Sequence, residues 1–337
     1  MMNFRRMINC IDAHTMGEPF RVVTSGVPPL AGDTILDKRA YFAEHYDGIR
    51  RMLMLEPRGH SDMYGGLLLP PVTEDGDFGV LFMHNEGMGT MCGHGCIAVA
   101  TVVFETGMME AHEGDNILKL DTPAGRITAC AEVRGGRVKR VSFENVPTFV
   151  YLEDISLELD EIGEVRGDIV YGGDFYVFAD VSQLGMELVP ENARALAARA
   201  MELKYKALEK YEVVHPEEPK LRGIYGTLLT TAPETRGGTV RSRNVCVFAN
   251  GEIDRSPCGT GTSARLTQLY MKGMIRPGMK LEHHSIIDTV FEAEAVRETE
   301  VGGRRAIVPR VSGSAYITAF SNFVLDEDDP LPEGFRL

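Results

Sequence analysis

No stretch of this 337-residue sequence stays apolar for long enough to cross a bilayer: the longest apolar run, Ile97 to Phe104, falls far short of the about 20 residues that a helical span needs. The opening Met1-Met2-Asn3-Phe4-Arg5-Arg6 has no apolar h-region, so no secretory segment is expected. The six cysteines, Cys10, Cys92, Cys96, Cys130, Cys246 and Cys258, lie scattered through apolar stretches. A chain long enough for two ordinary domains buries cores of its own and needs no disulfide framework, which leaves free thiols in a reducing cytoplasm. Basic clusters are missing too: Lys and Arg number 35 against 49 Asp and Glu, a net charge of -14. Such a surface repels phosphate backbones and anionic lipid, so neither nucleic acid nor a membrane is an expected partner. A small anionic substrate stays open, because distributed surface charge serves solubility and the field inside a cleft differs from the mean.

What the chain does contain is a repeat. Cys92-Gly93-His94-Gly95-Cys96-Ile97-Ala98 returns about half the chain length later as Cys258-Gly259-Thr260-Gly261-Thr262-Ser263-Ala264, a shared C-G-[HT]-G-x-x-A pattern. It suggests a duplicated domain with one cysteine in each half. Each copy follows a strand-like stretch, Phe78 to Met83 or Asn244 to Phe248, and opens a helix-like one that ends at Gly107 or Gly273 as a C-cap. Residues 96–106 are apolar nearly all round and should be wholly buried, whereas 262–272 carries Arg265, Gln268 and Lys272 and should keep a wetter side. Short β-rich segments are expected over Arg126 to Val133, Val138 to Asn145, Val240 to Ala249 and Ala306 to Ile317. One amphipathic helix near 38–52 should bury Phe42, Tyr46 and Ile49, and another near 191–210 should bury Leu196, Ala200, Leu203 and Ala207. The acidic Leu152 to Glu164 stretch reads as a solvated connection. With no low-complexity segment or long linker, two halves packed tightly about a cleft are expected.

A cysteine at a helix start among glycines meets free backbone N–H groups and the positive end of the helix dipole, both of which favour its thiolate. Such sites lower a thiol pKa from about 8.5 to roughly 3.5–7.5. A thiolate and a thiol facing each other can take a proton from one face of an α-carbon and deliver one to the other face. The amides freed by Gly93, Gly95, Gly259 and Gly261 can hold a carboxylate and stabilise charge growing on it, so neither a metal nor an imine is obligatory. The bland reading, a small buried core residue, suits Cys10, Cys130 and Cys246 and also Cys96, whose counterpart is Thr262. It fits Cys92 and Cys258 poorly, since core cysteines do not need surrounding glycines for close backbone approach. A metal held by Cys92, His94 and Cys96 is a minor alternative, because the spacing is not a CxxC knuckle and the second copy has no histidine. A phosphate-binding turn is disfavoured by the absence of G-x-x-x-x-G-K-[ST] and G-x-G-x-x-G there. A non-catalytic module for a small anion or amino acid is the reading left from another class.

Motifs along nearly the whole chain carry a resemblance: Asp12-Ala13-His14-Thr15, Met54-Leu55-Glu56-Pro57-Arg58-Gly59-His60, Met91-Cys92-Gly93-His94-Gly95, Asp254-Arg255-Ser256-Pro257-Cys258-Gly259-Thr260-Gly261-Thr262 and Gly313-Ser314-Ala315-Tyr316-Ile317-Thr318. The sequence resembles the proline racemase family of proline racemases, 4-hydroxyproline 2-epimerases and trans-3-hydroxy-L-proline dehydratases. The resemblance implies an α+β fold of two pseudo-symmetric β-rich lobes, each around a central helix as in diaminopimelate epimerase, with the active site in the cleft between them. The lobes are expected at 1–125 plus 316–337 and at 126–315. It also implies Cys92 and Cys258 as the catalytic pair, with His94 and Asp254 on the ring nitrogen. Charge logic agrees for Asp254, since a secondary ammonium favours a carboxylate neighbour. The bland readings are a turn residue before Ser256-Pro257 for Asp254 and a satisfied helix-start residue for His94.

By the same resemblance Gly93, Gly259 and Thr260 contact the substrate, and Tyr64, Phe82 and Phe248 line the ring pocket. Tyr64 departs from the racemase pattern by adding a hydroxyl. Glu56, Arg58, His60 and Asp62 read as a structural ion network. The expected activity is cofactor-independent racemisation or 2-epimerisation of proline or a hydroxyproline, in the cytoplasm, with homodimers the common assembly of similar proteins. Dehydration of trans-3-hydroxy-L-proline is the alternative within the family. Phe82-Met83-His84-Asn85-Glu86-Gly87 and Gly172-Gly173-Asp174-Phe175-Tyr176 look closer to that branch, whereas retention of both cysteines does not.

Overall fold

A computed structural model describes residues 4–337; Met1 to Asn3, part of the opening segment read above, lie outside the described residues. The chain divides into two compact units, one running to Val141 and resuming over Ser314–Leu337, the other spanning Ser142–Gly313. Sequence places the first change at 125/126. The segment after it folds straight back on the preceding strand in register, and so stays with the first unit.

The first unit holds β1 (Phe4–Thr15), β2 (Glu18–Ser25), α1 (Ile35–His45), α2 (Asp47–Met54), β3 (Tyr64–Leu69), β4 (Phe78–His84), α3 (Gly93–Glu105), β5 (Gly114–Thr122) and β6 (Gly125–Arg134). The chain leaves it within β7 (Arg137–Glu144). β1 pairs antiparallel with β2, β2 parallel with β3, β3 antiparallel with β4, β4 parallel with β5 and β5 antiparallel with β6. Each parallel step needs a crossover, which is where the helices sit. α3 packs against β1, β2 and β6 and is buried from Gly93 to Phe104, as its all-round apolar sequence requires. α1 and α2 cover the other face of the strands. Leu81 and Met83 of β4 join Phe42, Ile49, Met52 and Leu53 there, while Phe82 and His84 share the opposite face with Tyr64. The single helix expected near 38–52 is broken at Tyr46, whose φ of -134° is not helical. Phe42 and Ile49 are buried as expected and Tyr46 is only half-buried. The break turns Arg50 inward onto the carbonyls of His84 and Asn85.

The second unit repeats the scheme with β8 (Thr148–Leu159), β9 (Gly163–Tyr171), β10 (Phe175–Asp180), α4 (Ala193–Lys210), β11 (Gly226–Thr230), β12 (Glu234–Arg236), β13 (Thr239–Phe248), β14 (Glu252–Ile253), α5 (Gly259–Met271), β15 (Lys280–His284), β16 (Val290–Val301) and β17 (Arg304–Gly313). β9–β10 is antiparallel, β10–β11 parallel, β11–β13 antiparallel, β13–β15 parallel and β15–β16 antiparallel, the same succession as in the first unit. The duplication therefore extends from a seven-residue motif to a whole pairing order. α4 buries Leu196, Ala200, Leu203 and Ala207 as its spacing predicts.

Three further expectations are corrected. The acidic stretch from Leu152 is not a solvated connection but most of β8, paired with β9 down to Leu159↔Gly163. Its Ile155, Leu157 and Leu159 are buried, and Glu158 between them points out to solvent. The wetter side of α5 is confined to its end: the C-cap Lys272 is exposed, but Arg265 and Gln268 are buried and tied to each other, and Gln268 bonds Asp168. Ala306 to Ile317 is not one strand. It breaks at Ser314, after which β18 (Ala315–Asp326) returns to the first unit and pairs antiparallel with β1.

Candidate active site

In the first unit Cys92 is the N-cap of α3, with extended backbone at φ -138°. Its Sγ accepts the Gly95 N–H at 3.2 Å, so the thiol occupies the place that a serine or aspartate oxygen takes in an ordinary cap. His94 Nδ1 lies 3.3 Å from the same sulfur. The rings of Phe20 and Tyr64 meet the imidazole edge-on at 5.5 and 4.9 Å, and the Thr15 hydroxyl holds the backbone beneath it by donating to the His94 carbonyl at 2.8 Å. Burial pushes the His94 imidazolium down to about 3, against a backbone hydrogen bond at Pro19 that works the other way, so the ring is neutral at working pH. Phe82 stands edge-on to Phe20 at 6.4 Å and completes the apolar backing. Gly95 leaves no room for a side chain, since a Cβ there would lie 2.5 Å from Phe20 and 2.9 Å from Cys92 Sγ. Cys96, one position on, is fully buried and its thiol is pushed up by burial, in keeping with a packing role.

Cys258 caps α5 in the same way, its Sγ accepting the Gly261 N–H at 3.3 Å. Its φ of +63° lies in the left-handed region, a strained conformation for a cysteine that the preceding turn must hold. Asp254 builds that turn. Its Oδ1 accepts the Ser256 N–H at 2.8 Å and the Ser256 hydroxyl at 2.7 Å, and Ser256 Oγ accepts the Cys258 N–H at 3.1 Å. The turn-residue reading of Asp254 is thus part of its role, and the same carboxyl is also fully buried. Burial raises it to about 6, opposed by the Ser256 hydrogen bonds, one with the Cys258 side chain and the charge of Arg255. Thr260 places Oγ1 3.8 Å from Cys258 Sγ and 2.7 Å from the Tyr176 phenol. Phe248 stacks on Tyr225 at 5.5 Å. Behind the turn, Asn244 donates to the Pro257 carbonyl at 3.0 Å, and the Thr262 hydroxyl bridges that carbonyl to His283 Nδ1 at 3.0 and 2.9 Å.

Within the first unit the fold thus gathers Cys92, Gly93, His94, Tyr64 and Phe82, and within the second Cys258, Gly259, Thr260, Asp254 and Phe248. Asn244, His283 and Tyr176 are additions that local sequence signals could not give, because β13, β15 and β10 meet α5 only through non-local pairing. Arg58 of the charged cluster reaches out to Asp329 and to the carbonyls of Val324 and Leu331, so it pins the C-terminal segment. Among the described residues no group of three or more His, Cys, Asp and Glu is arranged to hold a metal ion, the Cys92, His94, Cys96 set included.

Two matching units, each capping its central helix with a thiol, agree with a family model described as proline racemase that matches residues 10–336. The chain belongs to the proline racemase family. Over 336 residues it is 46% identical to a trans-3-hydroxy-L-proline dehydratase of Bacillus thuringiensis, covering 100% of both chains. It is 44% identical to a 3-hydroxyproline 2-epimerase of Burkholderia multivorans, over 99% of each. A hydroxyproline epimerase from Agrobacterium vitis, solved with bound trans-4-hydroxy-L-proline, superposes with a TM-score of 0.93 at 34% identity, over 100% of this chain and 97% of that one. The proline racemase fold, two β-rich units each around a central helix, is therefore the fold of this protein.

Proposed function

We propose that this protein is a cofactor-independent racemase or 2-epimerase of proline or a hydroxyproline, working in the cytoplasm as a homodimer with Cys92 and Cys258 as acid and base at Cα. The observation that carries the reading is the pair of thiol caps: each sulfur accepts the amide three residues on, at 3.2 and 3.3 Å. A helix N-terminus favours the thiolate, and its remaining amides favour a carboxylate. In this reading one thiolate removes the Cα proton while the other thiol delivers its own to the opposite face. The first-turn amides of Gly93, Gly259 and Thr260 hold the substrate carboxylate and stabilise charge that accumulates on it. Asp254 as carboxylate and neutral His94 take the ring ammonium, and Tyr64, Phe82 and Phe248 enclose the ring. Thiols, amides and one carboxylate supply every proton and charge that the reaction needs. The names of the Burkholderia and Agrobacterium relatives support epimerisation.

A second reading, dehydration of trans-3-hydroxy-L-proline, is favoured by the name of the Bacillus relative at 46% identity. One experiment separates the two: incubation in deuterium oxide with L-proline and the hydroxyproline isomers, followed by mass and optical rotation. Deuterium at Cα with inversion is expected from the wild type, and loss of inversion by at least about 100-fold from Cys92→Ala and from Cys258→Ala. A pyrroline product selects the dehydratase. Near-normal inversion by both variants overturns the thiol pair.

A further inference from the structure

The two thiols have unlike neighbours. Two positions beyond Cys92 stands His94, an imidazole within 3.3 Å of the sulfur; two positions beyond Cys258 stands Thr260, whose hydroxyl is 3.8 Å away. Tyr176 is the difference. It lies on β10, directly after the β9–β10 hairpin, and its phenol is 2.7 Å from Thr260 Oγ1 and 3.8 Å from Cys258 Sγ. In the first unit the strand after the corresponding hairpin, β2, presents Phe20 to His94 and Gly95, with no hydroxyl. Packing alone is thus served by phenylalanine where histidine already partners the thiol.

We infer that Tyr176 is a positioning residue for Cys258, its phenol acting with the Thr260 hydroxyl as a reversible hydrogen-bond pair that serves the sulfur as His94 serves Cys92. The inference rests on the racemase reading for its purpose but not for its test. Its physical basis is a count of hydrogens. At 2.7 Å one of the two hydroxyls donates to the other, and whichever donates, one O–H stays available 3.8 Å from the sulfur. A thiolate accepts from it. A thiol donates its S–H to the oxygen instead, and the O–H···O bond stays intact. The pair therefore keeps Cys258 partnered in both protonation states, which a residue that alternates between acid and base requires. Burial holds the phenol well above its ordinary pKa, so Tyr176 remains a donor and does not compete with the sulfur for negative charge.

The test uses the full-length protein and a small alkylating reagent at pH 7, with the labelling rates of Cys92 and Cys258 read separately by peptide mass spectrometry. Cys92 serves as the internal reference. Tyr176→Phe is expected to slow Cys258 relative to Cys92 on the order of fivefold. Thr260→Val should do the same, Thr260→Ser should restore the wild-type ratio, and the Tyr176→Phe/Thr260→Val double variant, which leaves neither hydroxyl at the sulfur, should lose clearly more than either alone. In turnover, Tyr176→Phe should lower kcat with little change in KM. An unchanged labelling ratio in Tyr176→Phe at an unchanged Tm overturns the inference. Should Tyr176→Phe lower Tm, the Thr260→Val and Thr260→Ser ratios decide by the same criterion. The labelling ratio answers even if deuterium exchange removes the racemase reading, so the two failures are distinguishable.

Discussion

Asp254 is a buried carboxyl whose protonation is set where an enzyme of this kind would work. Its pKa is raised from 3.8 to about 6, so in that window the folded state binds more protons than the unfolded chain. Folding stability from this group is therefore present at low pH and falls as pH rises through about 6. In the proposed function activity runs the opposite way, because only the carboxylate would pair with a ring ammonium. A profile of kcat/KM is expected to show an acid limb near pH 6 that disappears from the residual activity of Asp254→Ser; a limb unmoved in that variant would assign it elsewhere. His94 does not contribute, being neutral down to about 3. Tyr64 carries a second prediction at this scale. It is buried against His94 and His84, and its phenol oxygen lies beside Gly89. A site that hydrogen-bonds a ring hydroxyl penalises the analogue without one by about 1–3 kcal/mol. Tyr64→Phe should accordingly reduce the preference for hydroxyproline over proline, measured as the ratio of kcat/KM values.

The helix start is the element on which the proposed chemistry depends, and glycine is what lets the thiol fold back over it. At Gly95 an added Cβ would lie 2.9 Å from Cys92 Sγ, and at Gly261 the same atom would lie 2.9 Å from Cys258 Sγ and 2.7 Å from Leu228. Both sites are enclosed, so the methyl must displace either a core side chain, Phe20 or Leu228, or the sulfur. Gly95→Ala and Gly261→Ala should each cost about 1–3 kcal/mol in denaturant titrations, with a larger fractional loss of turnover than of folded protein. Gly87, where an added Cβ meets nothing within 4 Å, is the control, and Gly87→Ala should leave stability and turnover nearly unchanged. If the control fell as far as the other two, crowding at the sulfur would not be the cause.

At the scale of the molecule, the first unit is closed by the end of the chain. β18 runs along β1 from Phe4↔Asp326 to Thr15↔Ala315 and covers part of α3. A chain ending at Gly313 would strip one edge of β1 and uncover an apolar helix. Such a truncation should lose hydrogen-exchange protection in β1 and α3 while α5 keeps its own; protected α3 amides in it would count against this account. Sequence by itself determined the duplication, both cysteine turns, the buried α3 and the α4 face, because each is written in local spacing or in a repeated motif. Hydrophobic periodicity could not say that Arg265 and Gln268 are buried, since their burial depends on Asp168 from a distant strand. Acidity likewise misled over β8, where Ile155, Leu157 and Leu159 alternate with polar and acidic residues, because that alternation becomes a strand only when β9 lies alongside. Tertiary structure alone decided that a phenol from β10 meets the Cys258 sulfur and that Asn244 and His283 brace its turn. Those contacts join residues far apart in the chain, and only the paired strands carry them to one helix end.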